Sequence, residues 1–218
     1  MKQLNLVLLG APGSGKGTQA VVLSEYYKIK QISLGDILRN EAHSNSELGQ
    51  TVKGYMAKGV LVPDDIIKAV IENSLEKCGF ILDGFPRNLN QAKMLEEILG
   101  AKGLGLDKVL YLDVSQDVAV ARLSGRRICK SCGSLYHIKT MAPRVEGVCD
   151  SCSTQLSSRD DDNEDTVRRR WQVFIDETHG LIEHYAKADK LLSFNGNQDK
   201  DVVFEEIKRS LKPCDVKH

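Results

Sequence analysis

Residues 4–18, LNLVLLGAPGSGKGT, constrain this chain more than any other stretch. The continuous apolar run LNLVLLG (4–10) reads as a strand buried on both faces. It leads into Gly10–Thr18, which matches G-x-x-x-x-G-K, and TQAVVLSEYY follows as a helix. In that setting the glycines let backbone N–H groups turn inward around phosphate oxygens. The helix N-terminus adds positive potential, and Lys16 supplies a mobile charge for the terminal phosphates. A glycine-rich turn with a surface lysine is the plainer alternative, and the flanking strand and helix argue against it. Gly17 stands where many such loops carry a magnesium-binding Ser or Thr, and Thr18 comes one later. The loop hydroxyl is therefore not the obvious metal ligand. Asp83, ending FILD, stands where a Walker-B acid belongs and is the magnesium-associated candidate; a turn aspartate is its plainer reading.

Further apolar runs, GFILDG (79–84), DKVLYLDV (107–114) and DKLLSF (189–194), predict more strands. Helical stretches separate them: PDDIIKAVIENSLEK (63–77), NQAKMLEEIL (90–99) and SQDVAVARLSG (115–125), with Ser115 as N-cap. From residue 162 the pattern is helical, with Val167, Trp171, Phe174, Thr178, Ile182 and Tyr185 at spacings of three and four. The alternation predicts an α/β sandwich around a central parallel sheet with right-handed crossovers. Residues 35–62 and 126–160 break it and read as insertions.

The 218 residues carry 30 Lys plus Arg against 30 Asp plus Glu, a balance unlike the basic surface of a nucleic-acid binder. No apolar run approaches the roughly eighteen residues of a membrane span. The chain reads as soluble and cytoplasmic, where thiols stay reduced and disulfides are disfavoured.

Five stretches occur in order: GAPGSGKGTQ, ISLGDILR (32–39), LDGFPRNLNQA (82–92), RLSGRR (122–127) and SRDDDNEDTVRRR (158–170). Together they resemble the nucleoside monophosphate kinases, above all adenylate kinases of the long-lid bacterial type, over nearly the whole chain. The resemblance implies a P-loop NTPase-like three-layer sandwich with two mobile insertions. The core would be residues 1–32, 63–124 and 163–218, with an AMP-binding insertion at 33–62 and a lid at 125–162. The implied reaction is reversible transfer of the terminal phosphoryl group from ATP, accompanied by Mg, to AMP, giving two molecules of ADP. A monomer is expected, with no nucleic-acid or membrane partner.

Phosphoryl transfer asks a protein for in-line positioning and charge neutralisation more than for covalent chemistry. Arginine, always charged and forked, suits both tasks. The resemblance assigns catalysis to Lys16, Arg87, Arg126, Arg159 and Arg170. It assigns ATP to Gly13, Ser14, Gly15, Lys16, Gly17, Thr18, Arg122, Arg126, Leu135, Tyr136 and Gln198. It assigns AMP to Leu34, Arg39, Val60, Leu61, Val62, Gly84, Phe85, Arg87, Gln91, Arg159 and Arg170. Within these sets Arg39 and Arg87 grip the AMP phosphate, Arg122 and Arg126 face the ATP phosphates, and Arg159 and Arg170 close over the transferring group. Arg168 and Arg169 read as a solvated helix face. Gln91 corresponds to the family's adenine-reading amide, although a glutamine there could equally lie on a helix surface. Asp161 and Asp162 match an acidic pair, and Asp162 could equally cap the long helix. Tyr136 and His137 match the lid's YH, with His137 a surface residue rather than a metal ligand. Two positions depart from the family: Leu34 and Asn88 stand where Thr is usual.

Four of the six cysteines form two C-x-x-C pairs, Cys129/Cys132 and Cys149/Cys152, inside the segment that matches the lid. This spacing signals a tetrahedral zinc site with four thiolate ligands. A redox pair would need a thioredoxin-like setting, and a catalytic zinc would keep an open position. The expected metal is structural, stabilising a flap with too little core to fold alone. Cys78 and Cys214 receive no role. Two other functions remain: a kinase of this family with GMP, CMP or UMP as acceptor, and a zinc-ribbon nucleic-acid protein with an NTP switch.

Overall fold

The computed structural model describes residues 4–211 apart from Asn45, Lys77 and Asp160; Cys214 lies outside the described residues. Five parallel strands form the central sheet: β1 (Asn5–Leu9), β2 (Lys30–Ser33), β3 (Phe80–Asp83), β4 (Lys108–Asp113) and, last in the chain, β8 (Leu191–Asn195). Their order is β2-β3-β1-β4-β8. Every residue of β1 is buried. Val7 and Leu9 enter one apolar cluster with Ile32, Phe80, Leu82 and Leu95. Leu6 and Leu8 enter the other with Leu23, Ile81, Leu110 and Ile207. This two-sided burial is why the strand reads as an unbroken apolar run.

The sequence reading has no strand between the first helix and SLGD. β2 occupies that place, pairing along one side with β3, and only Ile32 of its four residues is buried. An edge strand with one buried side chain leaves no apolar run to detect.

Helices α1 (Lys16–Tyr27), α2 (Leu34–Ala42), α3 (Glu47–Lys58), α4 (Asp64–Ser74), α5 (Leu89–Ala101) and α6 (Gln116–Ser124) connect the strands. α4 ends at Ser74, short of the expected residue 77, and Leu75 turns to extended backbone. Between α6 and the next helix the chain makes a separate antiparallel sheet. Its strands are β5 (Arg126–Cys129), β6 (Leu135–His137) and β7 (Leu156–Ser157), in the order β6-β5-β7. Next come α7 (Glu164–Val173), a π-helical turn (Phe174–Thr178) and α8 (Gly180–Lys187); α9 (Lys200–Ser210) follows β8.

Two expected caps are corrected. Ser115 holds the N-cap position of α6, but its side chain does not cap. Its hydroxyl and N–H both turn to Asn197 Oδ1. Asn163, not Asp162, caps α7, accepting from Thr166 N–H. The Asp162 side chain is 3 % exposed and held in an ion pair with Arg126, which draws its carboxylate away from the helix start. Asn88, by contrast, caps α5 by accepting from Gln91 N–H at 2.9 Å. Asn serves at this position as well as the usual Thr would.

Candidate functional site

Because all five central strands run parallel, the loops after β1, β3, β4 and β8 meet at their carboxyl ends. Ligands of open α/β sheets bind at that edge. A cleft of about 1410 Å³ opens there. The phosphate loop forms its floor. Gly13 has φ +84°, and a Cβ there would lie 2.6 Å from Ala119 O. Only glycine brings the loop this close to α6. Lys16 curls back over the loop and donates to Gly10 O at 2.7 Å and Ala11 O at 2.9 Å. Burial lowers its pKa to about 8, against the raising effect of Asp83. Asp83, level with Leu8 of β1 across the ladder, lines the same floor, and burial raises its carboxyl above the usual range.

Six arginines border the cleft: Arg39, Arg87, Arg122, Arg126, Arg159 and Arg170. Each is held differently. Arg87 donates from Nε to Gly84 O at 2.8 Å, and its carbonyl accepts from the Thr178 hydroxyl at 2.7 Å. Thr178 reaches that carbonyl from the π-helical turn, a device often found at functional sites. Arg170 pairs with Asp161 at 2.8 Å, Arg126 pairs with Asp162, and Arg159 reaches Asp36 Oδ1 at 3.4 Å. Burial lowers the pKa of both Arg87 and Arg159 to about 10, and both stay charged at neutral pH. Arg122 donates to the carbonyls of Gly196 and Gln198 at 2.7 and 3.2 Å, pinning the loop after β8.

Beside the cleft lies a cavity of about 60 Å³, lined by Leu34, Val60, Leu61, Val62, Ile67 and Gln91 among others. Arg39, Arg87 and Arg170 line both spaces and so stand at their junction. Gln91 is 2 % exposed, which excludes the helix-surface reading. Its Oε1 accepts from Arg87 N–H at 2.9 Å, and its Nε2 donates to Asp64 Oδ1 at 2.8 Å. Leu34 is buried on the same wall and brings no polar atom.

The cysteine segment is built from two matching knuckles. Gly133 N–H donates to Cys129 O and Cys129 N–H to Ser134 O, both at 2.9 Å. Ser153 N–H donates to Cys149 O and Cys149 N–H to Thr154 O, again at 2.9 Å. Gly133 and Ser153, each just after a second cysteine, share a left-handed backbone with φ 78° and 59°. The four Sγ atoms of Cys129, Cys132, Cys149 and Cys152 lie within 4.8 Å of one another. Tetrahedral zinc with bonds of about 2.3 Å spaces its sulfurs by about 3.8 Å, so this set fits zinc and closes its shell. The Tyr136 hydroxyl lies 3.5 Å from Cys149 Sγ and accepts from Asp150 N–H at 2.8 Å. That contact, with the knuckle N–H groups, brings the Cys149 thiol down to about 5, while Cys129 in the same cluster is shifted the other way, up to about 11.

Every residue expected to contact nucleotide lines the cleft or the cavity, Phe85 excepted. Phe85 is fully buried in the apolar cluster beneath, because a side chain entering the core cannot also face the cleft. Tyr136 borders the cleft, yet its hydroxyl serves the cysteines. His137 is half-buried rather than a surface residue. Its Nδ1 accepts from Lys139 and Thr140 N–H at 3.1 Å, and its ring fills the place of a Gly125 side chain. Asp36, Asp64 and Thr178 are polar supports that the sequence reading gave no role. Asp36 pairs with Arg39 three residues on in the same helix, a spacing that could have signalled it. Asp64 and Thr178 reach Gln91 and Arg87 only after folding, and no spacing signals them.

A family model described as Adenylate kinase matches residues 8–190. The chain is 47 % identical over 212 residues to an adenylate kinase of Clostridioides difficile, covering 95 % of this chain and 98 % of that protein. It is 45 % identical over 212 residues to one of Thermoanaerobacter sp., with the same coverage, and 46 % identical over 208 to one of Thermosipho melanesiensis, covering 94 % and 97 %. With the phosphate loop and the junction arginines in the cleft and the buried Gln91 in the cavity beside it, the chain belongs to the adenylate kinase family.

Proposed function

We propose that this protein transfers the terminal phosphoryl group of ATP to AMP, reversibly, giving two ADP. The observation that carries the proposal is the junction. Arg39, Arg87 and Arg170 border both the phosphate-loop cleft and the Gln91 cavity. Two nucleotides, one on each side, would meet phosphate to phosphate among fixed positive charges. No nucleophile or base is required of the protein, since the attacking AMP phosphate is already anionic. Lys16 leaves its loop carbonyls to follow the moving charge, and Arg87 holds the acceptor phosphate from a half-buried, braced position. Asp83, a half-buried hard oxygen donor beside Lys16, would hold the magnesium that accompanies ATP, and that ion would supply further neutralisation of phosphate charge.

The segment 33–62 is proposed to close over AMP and the segment 125–162 over ATP. Closure brings Arg126 and Arg159 to the phosphates and excludes the water that would compete as acceptor. Zinc on the four thiols would keep the second segment rigid while its ends move. Among the described residues no helix is long and apolar enough to cross a membrane. The protein is proposed to work as a monomer in the cytoplasm.

The test is a coupled assay of ADP formation from ATP with AMP, GMP, CMP or UMP. AMP is expected to give the highest kcat/KM. Leu34, which removes a hydroxyl from the base pocket, favours a second reading in which another monophosphate is preferred; GMP or CMP winning the panel would establish it.

A further inference from the structure

We infer that Asp64 is a specificity-positioning residue: it locks the Gln91 side-chain amide in the one orientation that accepts adenine and rejects a 6-oxopurine. The inference rests on the proposed AMP reading and says how that site chooses its base.

A primary amide is nearly symmetric in shape but not in hydrogen bonding. Its oxygen has two lone pairs and its nitrogen two N–H groups. Rotated by half a turn, the same side chain presents the opposite pattern. Adenine offers an acceptor at N1 and a donor at N6, so it needs one N–H and one lone pair in a set order. Hypoxanthine and guanine offer a donor at N1 and an acceptor at O6, which is the reverse order. A glutamine free to turn would serve both.

Gln91 is not free. It is 2 % exposed, and each polar atom of its amide already has one protein partner. The Arg87 N–H approaches Oε1 at 2.9 Å, and the Asp64 carboxylate lies 2.8 Å from Nε2. A backbone N–H only donates and an ionised carboxylate only accepts, so the two together permit one orientation. One N–H and one lone pair remain for a base in the cavity. Turning the amide would set Nε2 against the Arg87 N–H and Oε1 against the Asp64 carboxylate.

Asp64 is absent from the cavity lining, so it acts through Gln91 rather than on the nucleotide. It opens α4, while Gln91 lies in the first turn of α5 behind the Asn88 cap. The plainer role for an aspartate at this point is to favour the helix N-terminus. That role would change stability without changing the choice of base. Leu34 makes the lock matter more, because that wall of the cavity offers no hydroxyl to share the reading.

The experiment compares Asp64→Ala and Asp64→Asn with the wild type. The readouts are kcat/KM for AMP and for IMP at fixed ATP, KM for ATP, and thermal melting. IMP differs from AMP at the edge in question and carries no 2-amino group to clash. We expect the AMP-to-IMP ratio to fall about tenfold or more in Asp64→Ala, the scale of one lost hydrogen bond. The fall should be smaller in Asp64→Asn, whose amide keeps an acceptor but can itself turn. KM for ATP should stay within about twofold. A ratio unchanged in a folded Asp64→Ala overturns the inference. If that variant does not fold, a ratio unchanged in the isosteric Asp64→Asn overturns it. A wild type that transfers nothing to AMP overturns the proposed function and this inference together, so the two failures are distinguishable.

Discussion

The parallel sheet buries Leu6, Val7, Leu8, Ile81, Leu82 and Leu110 between two helical layers, with an extensive apolar cluster on each face. The antiparallel sheet β6-β5-β7 buries Cys129, Tyr136 and Cys149, with Leu156 packed against them. The first unit is stabilised by apolar area removed from water. The second has too little such area for its size and relies on thiols arranged for a metal. One chain thus joins a frame with a large apolar core to a small sheet whose four thiols fit a metal ion. The difference suits the proposed division of labour: the frame holds Lys16 and Arg87, and the flap carries Arg126.

Changes that break one unit should leave the other's signature intact. The largest effect is expected from Phe80→Ala, a fully buried side chain of β3. It should cost about 3–5 kcal/mol of global stability by denaturant melting, with zinc content unchanged. Comparable energy, read in rate, is expected from Lys16→Met: kcat lower by about 100- to 1000-fold, with little change in melting temperature. Arg87→Ala should raise KM for AMP more than KM for ATP; equal rises would remove Arg87 from the acceptor side.

Metal removal addresses the other half of the comparison. Native protein should hold about one zinc per chain, and Cys129→Ser or Cys149→Ser should lose it by elemental analysis. Chelation should raise hydrogen exchange in 126–157 first, while β1 and β4 stay protected. Uniform loss of protection would show that the two units are not separately stabilised.

A smaller effect is expected with pH. The Lys16 pKa of about 8 lies below the ordinary lysine value of 10.5 because of burial. Above about pH 8 the free enzyme loses this charge, so kcat/KM for ATP should fall as pH rises, and Lys16→Arg should remove the fall. For stability the sign is opposite. Between about 8 and 10.5 the unfolded chain binds more protons at this position, so the Lys16 contribution favours folding increasingly as pH rises. The smallest effect should come from Leu34→Thr, which returns one hydroxyl to the cavity. It should raise the AMP-to-GMP ratio by up to about tenfold. An unchanged ratio would show that position 34 does not read the base.

What the sequence alone determined is whatever rests on local spacing. The strand, glycine loop and helix of residues 4–27 are neighbours in the chain, so their pattern is their structure. The two C-x-x-C knuckles are equally local, and their spacing foretold the thiol cluster. The two-sided burial of β1, β3 and β4 showed as unbroken apolar runs.

The tertiary structure decided what depends on which distant residues meet. β2 is a strand because β3 pairs with it, not because KQIS is apolar. Asp162 left the helix cap because Arg126, 36 residues away, competes for it. Phe85 went to the core and His137 to the Gly125 junction through packing that no motif records. Gln91 could be matched to an adenine-reading amide, but its orientation follows from Asp64, 27 residues earlier. A hydrogen bond fixes direction only when donor and acceptor are brought within about 3 Å, and for residues so far apart in sequence folding alone does that.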